Sequence, residues 1–83
     1  ILIADVARAV TEWRQAQNIL TATRSLVKAQ DETIDILKAR SKAGLSDASS
    51  LERAKAQQAQ TRANLDTAAA AANAAQFQIE RLL

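Results

Sequence analysis

A single glycine and no proline in 83 residues most constrain what this chain can become. Gly and Pro punctuate turns, so a chain almost free of them has few. A globular domain with several elements would need several. The one strong break is Gly44, in Lys42-Ala43-Gly44-Leu45-Ser46-Asp47. Two uninterrupted segments remain, and joined by a tight turn they must run antiparallel.

Apolar periodicity assigns both segments to helix. Val6, Trp13, Leu20, Val27 and Ile34 recur every seven residues, with Ala9, Ala16, Thr23, Gln30 and Leu37 each three further on. This is an a/d heptad pattern with small or polar residues at several d positions. Ile19 and Leu26 widen the stripe by one position, which suits a second contact face. The first helix is expected over about 1–43, roughly 60 Å long at 1.5 Å per residue. Lys38, Arg40 and Lys42 crowd its last turns, where cations complement the helix dipole, and Gly44 suits the left-handed residue that ends many helices.

A turn at about 44–47 follows, then a second helix at about 48–82. Ser46 or Asp47 can cap it, with Ser49 and Ser50 as rivals. Ser49 and Glu52 have capping-box spacing. Leu51, Gln58, Leu65, Ala72 and Ile79 repeat every seven, with Ala54, Thr61, Ala68, Ala75 and Leu82 three further on. This stripe is thinner, because Ala replaces Leu. The run Ala68 to Ala72 suits close contact with more than one neighbour and equally suits plain helix filler.

The fold expected is therefore all-α, a long antiparallel two-helix coiled-coil hairpin packed through Val6, Val10, Trp13, Leu20, Val27, Ile34, Leu37, Leu51, Leu65 and Ile79. Half of its 40 apolar residues are Ala, a strong helix former with little to bury. Below about 70–80 residues one core rarely supplies more than a few kcal/mol. Marginal stability alone is expected, with further burial supplied by other chains or by the rest of a larger protein. The chain lacks an initiator Met, as a processed or excised piece would.

No Cys is present, so disulfides and thiolate metal sites are excluded; without His, the commonest general base and transition-metal ligand are missing. Asp31, Glu32 and Asp35 lie within about a turn, but Lys28 and Lys38 flank them, and a solvated, salt-bridged face is the simpler reading. Ser46 and Ser50 have no His partner for a triad. We expect no catalysis, metal or cofactor. Eleven basic and nine acidic residues are mixed along the chain, and no basic block suggests nucleic acid. The apolar start at residues 1–4 meets Asp5 and Arg8 too soon for a membrane span.

Function is expected to concentrate at the turn. Leu45 is an apolar residue in a solvated loop, ringed by Arg40, Lys42, Arg53 and Lys55, with Asp47 and Glu52 nearby. It either folds back over the hairpin core or presents an apolar contact to a partner.

The stretch 39–47, Ala-Arg-Ser-Lys-Ala-Gly-Leu-Ser-Asp, continuing through Leu51-Glu52-Arg53-Ala54-Lys55-Ala56-Gln57, resembles the tip and following helix of TolC-type outer-membrane factors. Their turn is similar, Ala-Arg-x-x-Ala-Gly-Leu before an Ala/Gln-rich helix. The opening Ile3-Ala4-Asp5-Val6-Ala7-Arg8-Ala9-Val10 and the ending Gln78-Ile79-Glu80-Arg81-Leu82-Leu83 are similar to how their first periplasmic hairpin starts and closes. The resemblance implies a segment of an α-helical barrel in the periplasm, in a homotrimer anchored in the outer membrane by β-strands this chain lacks. It implies a role as exit duct in a tripartite efflux or type I secretion system. Arg40, Gly44, Leu45, Ser46 and Ser50 would form the tip that contacts the periplasmic adaptor protein. Two positions depart: an aromatic often found two residues after the first alanine is Ser41, and an Asp often found six after the glycine is Ser50. The adaptor's own hairpin is the rival, since Gly44-Leu45-Ser46 and Leu51 fit its turn too; the third reading is a coiled-coil scaffold without a transport role.

Overall fold

A computed structural model describes residues 2–45 and 47–83. Helix α1 spans Ile3–Lys42 and helix α2 Ala48–Leu82. They lie side by side in a rod of 63 × 14 × 13 Å, with no strand among the described residues. The fold is the all-α antiparallel hairpin.

The turn follows from one residue. Gly44 has φ 74, a left-handed conformation that costs an L-residue with a Cβ roughly 1–2 kcal/mol. That reversal lets the Leu45 N–H donate to the Arg40 carbonyl (2.8 Å) and the Gly44 N–H to the Ser41 carbonyl (3.1 Å). These two bonds are the Schellman closure, and they satisfy carbonyls the end of α1 would leave bare. Among the rival caps for α2, Asp47 takes the position: its backbone is extended (φ −84, ψ 163) and its carboxylate accepts the Ser50 N–H at 3.0 Å. The spacing of Ser49 and Glu52 does not form a capping box. Ser49 lies within α2, and its hydroxyl donates to Asp47 instead.

The heptads map onto burial position by position. Every a and d residue from Val6 to Ser41 in α1, and from Leu51 to Leu82 in α2, is buried or half-buried. Among the described residues only Val10, Gln17, Ser50 and Ala69 join them, each beside the seam. Leu20, Val27 and Ile34 are the buried large residues, with Ala9, Thr61 and Ala72. Val6, Val10, Trp13, Leu37, Leu51, Leu65 and Ile79 are half-buried, as two helices without a third layer require.

Register explains why α2 is so rich in Ala. Gln58 donates from its side-chain amide to the Val27 carbonyl at 3.3 Å, which sets Gln58 at the level of Gln30. In that register Leu20 stands level with Ala68, Trp13 with Ala75 and Ile34 with Ala54. In these three layers large residues of α1 meet small ones of α2, so the backbones approach closely and the side chains interdigitate. The accessible surface is 6186 Å², against about 4,800 Å² for a compact monomer of this mass. A rod two helices thick leaves this much more in contact with water.

Candidate docking tip and lateral faces

The tip is closed by its own hydrogen bonds and presents one apolar side chain. Leu45 is 76% exposed, so it does not fold back over the hairpin core. Its N–H is committed to Arg40, which fixes the backbone behind it. Arg40 is exposed in the last turns of α1. Ser50 is half-buried, and its hydroxyl donates to Asp47 at 3.0 Å; it braces the turn from within. Ser46 lies outside the described residues.

Hydrogen bonding at the turn lowers the affinity of Asp47 for protons. The Ser50 N–H, then the Ser50 and Ser49 hydroxyls, hold its carboxyl below the usual Asp range, and the charge of Arg53 adds to this. Three donors converge on one oxygen, so the charged form is the one the turn is built around.

The acidic group on α1 is arranged differently from a face paired along its own helix. Asp31 reaches across the hairpin. It accepts a hydrogen bond from the Gln58 amide and lies 3.5 Å from the Arg62 guanidinium. Neither Lys28 nor Lys38 forms an ion pair among the described residues. Asp31 and Arg62 are both at e positions of their heptads, which face one another along one flank of an antiparallel pair. This link was hidden in the sequence because it depends on register; a polar Gln58 at an a position was its only sign. No group of three or more potential metal ligands occurs among the described residues. Among the described residues, the buried Trp13 Nε1 and Gln30 Oε1 in the seam have no hydrogen-bond partner within the protein.

The flanks carry a pattern separate from the seam. Ile19, Leu26 and Ile36 are 55%, 50% and 58% exposed, so they do not widen the seam at all. With Ala22, Ala29 and Thr33 they are spaced 3, 4, 3, 4, 3, a second heptad stripe. At 100° per residue it is centred about 110° around α1 from the seam. α2 carries exposed small residues on its outer face, Ala56, Ala59, Ala63 and Ala70 with Phe77, at b and f positions about 150° from the seam. One flank of α1 therefore shows bulky aliphatic residues, and the back of α2 mostly methyl groups.

Comparison with protein-family models, curated proteins and solved structures returned no match for this chain.

Proposed function

We propose that this chain is a wall element of a periplasmic α-helical barrel, a hairpin from an outer-membrane channel of a tripartite efflux or type I secretion system, whose tip docks the periplasmic adaptor protein. The observation that carries this reading is the second stripe on α1. A free two-helix scaffold needs one seam, and a further exposed row of Ile19, Leu26 and Ile36 is a liability in water. A barrel wall needs a seam on both sides of each helix. The exposed small residues on the outer face of α2 suit the other half of such a contact, large against small, as in the Leu20–Ala68 layer of the seam. Two unlike surfaces that meet give a heterologous contact, which closes into a ring when the rotation permits. The turn resemblance at Ala39 to Gln57 and the exposed Leu45 support a tip that works by contact. The mechanism is passive: the helices build the wall, and adaptor binding at the tip favours an open entrance.

The test pairs two substitutions in the full-length protein. Leu45→Asp is expected to weaken crosslinking to the adaptor and leave trimer assembly intact. Leu26→Asp is expected to do the reverse, impairing assembly while each hairpin stays helical. Unchanged crosslinking with Leu45→Asp would sink the tip assignment, and intact assembly with Leu26→Asp would sink the wall assignment.

A further inference from the structure

Charge is not spread evenly along the rod. Residues 38–55 hold five cations, Lys38, Arg40, Lys42, Arg53 and Lys55, against two carboxylates, Asp47 and Glu52; the rest of the chain holds six against seven. All of the excess positive charge therefore sits in the tip segment. All five cations are exposed. The two carboxylates neutralise little of it. Asp47 is occupied by the Ser50 N–H and the hydroxyls of Ser49 and Ser50. Glu52 lies 3.7 Å from Lys55 in a solvent-exposed pair, the kind that contributes little. Among the described residues, Arg40, Lys42 and Arg53 form no ion pair.

Helix electrostatics accounts for only part of this. Arg40 and Lys42 complement the negative end of α1. Arg53 and Lys55 are in the opposite situation, in the second turn of α2, close to that helix's positive end, and its first turn contains no acidic residue. Within the hairpin they have only the charge of Asp47 acting on Arg53 and the exposed Glu52–Lys55 pair, both weak reasons for cations at this end of a helix. They belong to the helix that starts three residues after Leu45, whose backbone is fixed by the Gly44 closure.

We infer that the tip is shaped for a protein surface with an apolar socket for Leu45 and a rim of carboxylates facing Lys42, Arg53 and their neighbours. This rests on the docking reading above and adds to it the chemistry of the partner. A rigid apolar anchor within a ring of long, flexible cations divides the work: the anchor supplies contact area in a pocket, and the ring steers the approach and rejects basic surfaces. An anionic bilayer fits less well, because a single leucine offers too little apolar surface to enter the interface.

The experiment measures binding of the adaptor to the full-length protein in detergent, from about 0.05 to 0.5 M NaCl, where screening shortens from beyond 10 Å to a few ångströms. It compares wild type, Leu45→Ala and the double variant Lys42→Glu/Arg53→Glu, each checked for helicity and trimer assembly. Wild-type affinity is expected to fall with salt, and the double variant to bind about tenfold more weakly at low salt, chiefly through a slower association rate. If Leu45→Ala weakens binding while salt and charge reversal do not, the acidic rim is wrong and the docking tip stands. If none of the three has an effect, the docking reading falls as well. Tighter binding by the double variant would mean a basic partner and overturn the inference. Vesicles containing anionic phosphatidylglycerol serve as the other arm; salt-sensitive binding to them through the same cations would assign the charge to a membrane surface and overturn it too.

Discussion

Gly44 allows the turn to be tested against its own mirror image. At φ 74 an L-alanine pays the left-handed penalty of roughly 1–2 kcal/mol. No steric term complicates the L-alanine variant, because an L-residue's Cβ built at Gly44 meets nothing within 4 Å. Replacing Gly by Ala also restricts the unfolded chain, which returns about 0.4–1 kcal/mol. Gly44→Ala should therefore cost about 1 kcal/mol net. D-alanine has the mirrored backbone preference, so it sits at positive φ without penalty and keeps the whole unfolded-state gain. It should stabilise by about 0.4–1 kcal/mol, while Gly44→Asn falls between, because Asn tolerates this region better than Ala.

The chain can be assembled from two synthetic segments, which admits the D-residue, and unfolded by heat with far-UV circular dichroism as the readout. Concentration must be held constant across the series, because association with further copies shifts apparent stability by mass action. About 1 kcal/mol corresponds to about 4–8 °C in Tm for a domain of this size. L- and D-alanine should then bracket wild type, one below and one above. Equal midpoints for the two would refute the claim that backbone handedness at Gly44 sets the turn. An L-alanine loss well above 2 kcal/mol would show that the residue is crowded after all.

Two further outcomes follow from polar groups. Hydrogen bonds hold the Asp47 carboxyl below the usual range, about 3.9. Its contribution is thus fully present above that pH and is lost as pH falls through the lower, folded-state value; Asp47→Asn, which cannot titrate, should show no such acid limb, and parallel melting curves for the two between about pH 5 and 2 would contradict the cap assignment. Gln30→Leu removes a buried oxygen with no hydrogen-bond partner and keeps the side-chain volume close, so stability should rise by about 1–2 kcal/mol; an unchanged or lower urea midpoint would show that Gln30 is satisfied in solution.

The seam could be read from the sequence because its period is a property of the helix. Val6 through Ile34, and Leu51 through Ile79, occupy the face that a 3.5-residue repeat assigns them, whatever their partners. The turn was legible for a related reason, since one residue type tolerates its backbone. The cap was not. Asp47, Ser49 and Ser50 are all good cap residues, and only the extended backbone at Asp47 separates them. The Asp31–Gln58–Arg62 link was beyond sequence reasoning, because it joins residues about 30 positions apart through a register set at the turn. The lateral stripe was half visible. Ile19 and Leu26 pointed to a second contact face, but Ala22, Ala29 and Thr33 interrupt the bulky residues, so its extension to Ile36 did not stand out.

The alanine content that makes the second helix look weak has a physical reason once both flanks are considered. In an isolated hairpin, Leu at every a and d position of α2 would bury more area and give a more stable pair. It would also push the helices apart at Trp13, Leu20 and Ile34, whose bulk is accommodated by Ala75, Ala68 and Ala54. The same substitution on the outer face, at Ala56, Ala59, Ala63 and Ala70, would place large apolar residues in water until a neighbour arrived. Ala resolves both demands: it holds the helix by intrinsic propensity with no partner required and still permits close approach when a partner binds. A helix built this way is modestly stable alone and gains most from company on two sides. The bulky stripe of α1 presents the opposite half of that bargain on its own flank, so a row of such hairpins would repeat outside each molecule the contact that already holds its two helices together.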